Sequence, residues 1–277
     1  MSFAIGIDLG GTNVRVALVG ADGRVRDVEK VRLEDRSPDA VAQLLAARAN
    51  GLSARNGSSA LPVGVGMAAQ ILGGSGVVSV APNLGWRNVP FASLLGQHLV
   101  TVPRLMNDLG AAAWGEAAAG AARGERDVVL VFVGTGVGSG LILDGQLYTG
   151  HLGVAGEFGH VKVRQGGRRC GCGELGCLEA YVSGRMLAER IRERIEGGAA
   201  TALESGDGAW EMEQAAVAGD PTALELWGDA VCLLSVAIGN LCTVLNPRKV
   251  ILGGGVLMGC PMLKEAVKRG MFDYVLS

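Results

Sequence analysis

Four side chains that can bind zinc lie within eighteen consecutive residues of this sequence. They are His160, Cys170, Cys172 and Cys177. One imidazole and three thiolates make a complete tetrahedral ligand set for zinc, and a fourth protein ligand leaves no open position for metal chemistry. Glycines between the cysteines allow the tight turns that bring three sulfur atoms to one ion. The spacing therefore predicts a structural zinc site, with disulfides or buried free thiols as the alternatives.

Carboxylates and amides that could act on a substrate occur in and near this segment. Glu157 and Glu179 flank the four ligands, and Asn107-Asp108 stands at the end of an apolar stretch and the start of a helical one. Asp108 is either a helix N-cap or a general base for a hydroxyl that is about to be phosphorylated. Asn83, in the turn Ala-Pro-Asn-Leu-Gly-Trp, either closes its loop or offers its amide to a sugar hydroxyl.

Three glycine-rich turns follow apolar stretches, at residues 8–13, 134–140 and 253–255. Because glycine has no Cβ, the backbone N–H groups of such turns can approach an anion closely. Neither of the first two turns has the form GxxxxGK[ST] or GxGxxG, and each by itself could be a plain tight hairpin. Together with the third turn they indicate a cleft lined by phosphate-facing backbone. Asp8 is placed to hold Mg²⁺ directly or through water.

An internal repeat organises the chain. The order strand, glycine turn, strand and Asp-Gly occurs twice, about 126 residues apart. The repeat predicts two similar α/β domains that face a shared cleft. We expect a small N-terminal domain over 1–108 and a large C-terminal domain with the zinc loop over 109–277. Strands are predicted at 3–9, 14–19, 25–33, 63–67, 100–106, 127–133, 141–143 and 249–252. Helices are predicted at 38–50, 108–122, 179–195, 211–218 and 221–245.

Composition excludes several classes of protein. The 277 residues are 49% hydrophobic, enough for a core without disulfides. The formal net charge of −2 provides no basic surface for nucleic acid or for an acidic membrane. No signal peptide is expected at the start. The apolar stretch Val231–Leu245 is short for a membrane span and predicts a buried helix. Three further cysteines in apolar surroundings are expected in the core, and we predict a reduced, cytoplasmic location.

These motifs together resemble the ROK family of sugar kinases, and within it most closely the bacterial ATP-dependent glucokinases. The family has the actin/hexokinase-like ATPase (ribonuclease H-like) fold, with two α/β domains and an inter-domain cleft. The resemblance covers residues 3 to about 257, and the cysteine motif is its most specific part. The matching segments are DLGGTN (8–13), APNLGW (81–86), ND (107–108), VGTGVGSG (133–140), GEFGH (156–160), CGCGELGCLE (170–179) and ILGGGV (251–256).

The resemblance implies transfer of a phosphoryl group from ATP, with Mg²⁺, to a hexose, glucose first of all, and Asp108 as the catalytic base. It implies sugar binding by Asn83, Asn107, Asp108, Glu157, His160 and Glu179. It implies nucleotide and phosphate binding by Asp8, Gly10, Gly11, Thr12, Asn13, Gly134, Thr135, Gly136, Gly253, Gly254 and Gly255. It also implies zinc at His160, Cys170, Cys172 and Cys177, with the second ring nitrogen of His160 free for the sugar. We further expect a homodimer or higher homo-oligomer.

Two departures from the family pattern are visible. Ala69 replaces a glycine that many members carry near the sugar, where a positive φ or a close approach could be needed. The chain also stops at Ser277, where members usually continue for some tens of residues. The alternatives are a kinase for N-acetylglucosamine, N-acetylmannosamine, mannose or fructose, and a sugar-binding protein without activity. A sugar-responsive repressor would need a DNA-binding domain before the first strand, which begins at Phe3.

Overall fold

The chain folds into two compact α/β units. The computed structural model describes residues 3–58 and 60–276. The first unit takes its described residues from 1–126 and 140–156, and the second from 127–139 and 157–277. The chain therefore enters the second unit, returns to the first and leaves it again. The division into domains at 1–108 and 109–277 stays a prediction, because compact units need not fold on their own.

Five strands form the main sheet of the first unit. β1 (Phe3–Leu9) pairs antiparallel with β2 (Asn13–Gly20) and parallel with β4 (Val63–Met67). β2 pairs antiparallel with β3 (Val25–Arg32), and β4 pairs parallel with β8 (Arg104–Asn107). The strand order is β3-β2-β1-β4-β8. Since β1, β4 and β8 are parallel, their carboxyl ends lie at one edge of the sheet.

Helices and a small second sheet complete the first unit. The remaining elements are α1 (Pro38–Arg55), β5 (Gln70–Ile71), β6 (Val78–Ala81), β7 (Trp86–Val89), α2 (Phe91–Gly96), α3 (Asp108–Ala119) and β11 (Gln146–Leu147). Helix α1 runs past its predicted end because Leu52 continues the buried face begun by Val41 and Leu45. The sheet β5-β6-β7 and α2 were not predicted, because strands of two to four residues carry too little periodicity.

The second unit combines a parallel strand pair with helices. β9 (Val128–Val133) pairs parallel with β12 (Lys249–Gly253), and β10 (Val137–Leu143) starts in this unit and ends in the first. The helices are α4 (Glu179–Val182), α5 (Gly184–Glu196), α6 (Ala209–Val217), α7 (Pro221–Leu245), α8 (Gly255–Gly259) and α9 (Pro261–Gly270). Single 3₁₀ turns are present at Phe158–His160 and Met271–Tyr274.

Helix α7 lies at the centre of the second unit. Among the described residues it is the one helix long and apolar enough to cross a membrane by length and composition. Helices α4, α5, α6 and α9 pack against it, and the central helix of a folded domain meets the same two criteria. The packing favours a core helix, as the sequence predicts.

The single helix predicted over 179–195 is broken at Ser183. This residue is extended (φ −68°, ψ 150°), and its side chain accepts a hydrogen bond from Met186 N at 3.4 Å. The amide of Gly184 donates to Gly134 O at 2.7 Å. Helix α5 therefore begins against the glycine turn that follows β9. A contact between segments fifty residues apart decides this break, which local propensity does not show.

The buried carboxylate Glu213 holds the start of α9. Its side chain is 1% exposed and accepts the amides of Met262 (3.3 Å) and Leu263 (2.6 Å). These amides belong to the first helical turn, where no intrahelical acceptor exists. We expect Glu213→Ala to lower the free energy of unfolding by about 3 kcal/mol, because one buried and one part-buried donor lose their carboxylate acceptor. Denaturant unfolding measures this, with Gln214→Ala, exposed on the same helix, as the control expected within about 0.5 kcal/mol of wild type. Equal losses in both variants would contradict the capping role.

Candidate active site and zinc site

The parallel strands of the first unit place two predicted site segments at one sheet edge. In the β1–β4 register Asp8 lies opposite Gly66, and in the β4–β8 register Asn107 lies opposite Met67. Asp108 follows Asn107 directly as the first residue of α3. Ligands of open α/β sheets bind at the carboxyl ends of such strands. The fold therefore brings Asp8, Asn107 and Asp108 to one edge.

Asn107, and not Asp108, is the N-cap of α3. Its Oδ1 accepts the amides of Leu109 (2.9 Å) and Gly110 (3.2 Å), and its Nδ2 donates to Ala69 O at 3.3 Å. The N-cap interpretation of Asp108 is therefore wrong. With the helix start fixed by Asn107, the Asp108 carboxylate is left for another role.

The Asp108 carboxylate has a pKa raised above its usual value. It is half-buried, and its Oδ1 accepts its neighbour's amide, Leu109 N, at 2.9 Å. Burial raises the pKa of Asp108 above its usual value, and the negative charge of Asp8 raises it further, while the Leu109 hydrogen bond opposes this. A carboxylate with a raised pKa takes a proton more readily at neutral pH than an ordinary aspartate does.

Arg15 is a partner of Asp8 that the sequence analysis missed. The two residues are opposite each other across the β1–β2 hairpin, with Arg15 Nη1 at 2.8 Å from Asp8 Oδ2. Both side chains are more than half exposed, so the pair contributes no more than about 1 kcal/mol. Asp8 can therefore exchange Arg15 for a cation, and its oxygens suit Mg²⁺. Counting residues across the predicted hairpin would have revealed the pair.

Asn83 lies against the first glycine turn. A Cβ placed on Gly11 would come within 2.8 Å of Asn83 Cβ, so glycine is required for this close approach. The turn itself is closed by Gly10 N donating to Asn13 O at 3.0 Å. The structure thus places Asn83, predicted to bind the sugar, against Gly11, predicted to bind the nucleotide.

The alanine at position 69 introduces no backbone strain. The described non-glycine residues with positive φ are Asn88, Asp144 and Asn246, so Ala69 does not adopt the left-handed conformation that glycine favours. Its side chain is buried, and its carbonyl accepts the Asn107 amide. The departure from the family pattern is accommodated at this position.

Two predicted phosphate-binding turns lie at one edge of the strand pair in the second unit. Gly134–Gly136 follows β9, and Gly253–Gly255 joins the end of β12 to the start of α8. The strands β9 and β12 are parallel. The amide of Gly134 donates to Gly136 O at 2.9 Å. Gly254 has φ +93°, and a Cβ there would lie 2.3 Å from Val133 O, so no other residue fits. Thr135 lies between Gly134 and Gly136 in the turn that follows β9.

Glu179 connects the glycine turn that follows β9 to the predicted zinc ligands. Its Oε2 accepts the amide of Val137 at 2.9 Å, and its Oε1 lies 3.8 Å from Cys170 Sγ. The residue begins α4, directly after the cysteine segment. Its predicted role is sugar binding. The contacts in this structure show that it also positions the turn relative to the cysteines.

The four predicted zinc ligands converge. The ligand atoms of His160, Cys170, Cys172 and Cys177 all lie within 4.8 Å of one another. Cys172 Sγ and Cys177 Sγ are 3.8 Å apart, and Cys170 Sγ is 3.7 Å from His160 Nδ1. With zinc–sulfur bonds of about 2.3 Å, a tetrahedral site has sulfur–sulfur distances of about 3.8 Å. The spacing and the donor set therefore fit zinc, and the cysteines are not joined as disulfides.

The protonation of the cysteines also fits a metal site. Burial raises the pKa of the Cys170 thiol to about 12, so zinc would displace its proton on binding. Burial also raises the pKa of Cys172, but hydrogen bonds from the Glu174 amide and the neighbouring thiols outweigh it, and the net shift is downward. Lys162, which the sequence analysis missed, donates from Nζ to Cys177 Sγ at 3.0 Å and offsets thiolate charge.

The two ring nitrogens of His160 face different groups. Nδ1 faces Cys170 within the cluster, and Nε2 lies 3.8 Å from Glu157 Oε2. A histidine whose Nδ1 ligates zinc keeps Nε2 for a second partner. The arrangement fits the prediction that His160 serves the metal on one side and a hydroxyl on the other, with Glu157 beside it.

Comparison with known proteins decides the family. The sequence model of the ROK family matches residues 4–277. The chain belongs to the ROK family. A glucokinase of Streptomyces coelicolor is 33% identical over 265 residues, which cover 92% of this chain and 83% of that protein. An N-acetylmannosamine kinase of Escherichia fergusonii is 33% identical over 255 residues, which cover 91% and 82%.

Solved structures of ROK proteins share the fold. A Streptomyces griseus ROK glucokinase in complex with glucose and AMPPNP has a TM-score of 0.79 and 30% identity, covering all of this chain and 90% of its own. A Thermus thermophilus ROK hexokinase has a TM-score of 0.86 and 30% identity, covering 98% of this chain and 88% of its own. A ROK transcriptional regulator has a TM-score of 0.86 and 23% identity, covering 99% of this chain and 70% of its own. At this identity it supports the fold alone. The predicted fold class is confirmed, and this ROK protein is a sugar kinase.

Proposed function

We propose that this ROK kinase transfers the γ-phosphoryl group of ATP to the 6-hydroxyl of glucose, with Asp108 as the general base. The observation that carries the proposal is the half-buried Asp108 carboxylate, freed from capping by Asn107 and raised in pKa. The glucokinase relatives support glucose as the acceptor.

The reaction asks mainly for positioning and a proton acceptor. Asp108 takes the proton of the sugar hydroxyl as the hydroxyl oxygen bonds to the γ-phosphorus, and the bond from that phosphorus to the ADP oxygen breaks. Asn83, Asn107, Glu157, His160 and Glu179 hold the sugar hydroxyls. The glycine turns at 10–13, 134–136 and 253–255 offer backbone amides to the nucleotide phosphates. Mg²⁺, held through Asp8, would neutralise charge on the phosphates.

Zinc has a structural role in this proposal. His160, Cys170, Cys172 and Cys177 would hold the ion with all four of its ligands supplied by the protein, and Glu157 and Glu179 lie beside them. When bound, the ion fixes the loop that presents these groups. Thiolate ligands require a reducing environment, which supports a cytoplasmic location. The homodimer or higher homo-oligomer stays a prediction.

N-acetylmannosamine is the second candidate substrate, because a kinase for this sugar has the same percentage identity to this chain as the glucokinase. A coupled ADP-release assay distinguishes the two, with N-acetylglucosamine, mannose and fructose completing the panel. We expect kcat/KM for glucose to exceed that for N-acetylmannosamine by about ten-fold or more, since a pocket shaped for a hydroxyl excludes an acetamido group. ATP and polyphosphate serve as alternative donors. A higher kcat/KM for N-acetylmannosamine would reject glucose as the acceptor.

A further inference from the structure

A cavity of about 330 Å³ lies within the second unit and contains none of the residues assigned to sugar, nucleotide or zinc. Its polar lining consists of Arg164, Arg168, Tyr181, Arg190, Glu193 and Arg194. Four guanidinium groups and one carboxylate thus face a space large enough for a small ligand. Such a concentration of arginine has no role in the phosphoryl transfer proposed above.

The arginines of this region outnumber the carboxylates that pair with them. The arginines are Arg164, Arg168, Arg185, Arg190 and Arg194, and the carboxylates are Asp229, Glu189, Glu193 and Glu225. Two of the four acids are shared. Asp229 pairs with both Arg164 and Arg190, and Glu189 lies 3.9 Å from both Arg168 and Arg185. Arg185 does not line the cavity, and of the four carboxylates only Glu193 does, so the lining itself carries four positive charges and one negative charge.

Arg168 and Arg190 are the least exposed of the four lining arginines. The Nε of Arg168 is buried and has no hydrogen-bond partner within the described part of the chain, although both Nη atoms bind Glu193 at 2.6 and 2.7 Å. Arg190 is only 8% exposed. Burial lowers the pKa of Arg190, Asp229 opposes this, and the charges of Arg168 and Arg164 lower it further.

The arginines are held in place before any ligand arrives. The guanidinium groups of Arg164 and Arg190 lie 5.0 and 5.8 Å from the centre of the Tyr181 ring. Arg190 Nη1 also donates to Tyr181 O at 2.9 Å. Guanidinium groups fixed in this way keep their positive charge beside the cavity, which favours an anion such as phosphate.

We propose that this cavity binds a small phosphate-bearing anion. A phosphate group there supplies negative charge to a lining of four arginines and one carboxylate. The site would also act on the zinc loop, because Arg168 precedes Cys170 by two residues and Tyr181 follows Glu179 by two. The amide of Arg168 already donates to the Tyr181 hydroxyl at 2.7 Å, so a ligand at this point holds both ends of the loop together.

Calorimetric titration of inorganic phosphate into the zinc-loaded enzyme tests the proposal. The nucleotide site is first saturated with AMPPNP and Mg²⁺, so that phosphate cannot bind there. We expect saturable binding and a higher melting temperature with phosphate than with chloride at the same ionic strength, since a ligand of the native state stabilises it. Absence of saturable binding under these conditions would overturn the proposal.

Three variants locate the binding. Arg168→Gln and Arg194→Gln should each raise the Kd for phosphate by about ten-fold or more, the loss expected for a charge-assisted hydrogen bond. Arg194 is 43% exposed at the cavity rim, so its substitution keeps the test valid if Arg168→Gln does not fold. Arg192→Gln, on the same helix and paired with Glu196 outside the cavity, should bind like wild type. The same Kd in all three variants would place the phosphate elsewhere and reject the site.

Discussion

Asp108→Asn is expected to lower kcat by about 10²–10⁴-fold, the usual contribution of a general base, while glucose still binds. The amide keeps the shape of the side chain and an oxygen that can accept the Leu109 N–H, but it takes no proton. Steady-state kinetics measure kcat, and equilibrium titration with glucose measures binding. The substitution removes the group that accepts the proton in the transition state. It should therefore lower kcat far more than it raises the Kd for sugar.

The melting temperature and the pH dependence of kcat distinguish loss of the general base from misfolding. Burial disfavours the charged form of Asp108, so the neutral amide should leave the melting temperature unchanged or higher. In the wild type, activity requires the deprotonated carboxylate. The kcat therefore falls as pH decreases through a pKa that lies above the usual aspartate value, and Asp108→Asn lacks this acid limb. Asp39→Asn, in the first turn of α1, is the control with wild-type kinetics. A variant that retains more than about a tenth of wild-type kcat would remove Asp108 from the role.

Cys172→Ser is expected to abolish stoichiometric zinc and to raise the KM for sugar more than the KM for ATP. Cys172 is exposed, so the substitution removes a ligand with little loss of packing. The remaining three ligands do not close a tetrahedral site. His160, Glu157 and Glu179 then lose the ion that orders their loop, whereas the glycine turns at 10–13 and 253–255 contribute no zinc ligand.

Metal analysis and kinetics check this prediction together. Wild type should contain one zinc per chain, and Cys172→Ser substantially less after dialysis against a chelator. Cys232, predicted to lie in the core, is in fact exposed and lies outside the cluster. Cys232→Ser should therefore keep both zinc and the sugar KM. Undiminished zinc in Cys172→Ser, or an unchanged sugar KM after zinc is lost, would contradict the proposed role.

Short-range patterns in the sequence determined a large part of this protein. The convergence of His160, Cys170, Cys172 and Cys177 could be predicted because a candidate metal site is defined by residue types at close spacing, and these residues lie in one continuous segment. The repeated strand, glycine turn and Asp-Gly pair could be predicted because each element depends on local backbone preferences. The matching motifs, in the family's order, also indicated the ROK fold, which the comparisons confirm.

Tertiary structure decided everything that depends on residues distant in the chain. Strand β8 ends at Asn107, whose side chain also donates to the distant Ala69 O, so Asn107 and not Asp108 caps α3. The break between α4 and α5 depends on a hydrogen bond to Gly134. The arginine cavity joins Arg168 to Tyr181 and to helix α5. None of these follows from local propensity, because each is fixed by packing and by hydrogen bonds that form when separate segments meet.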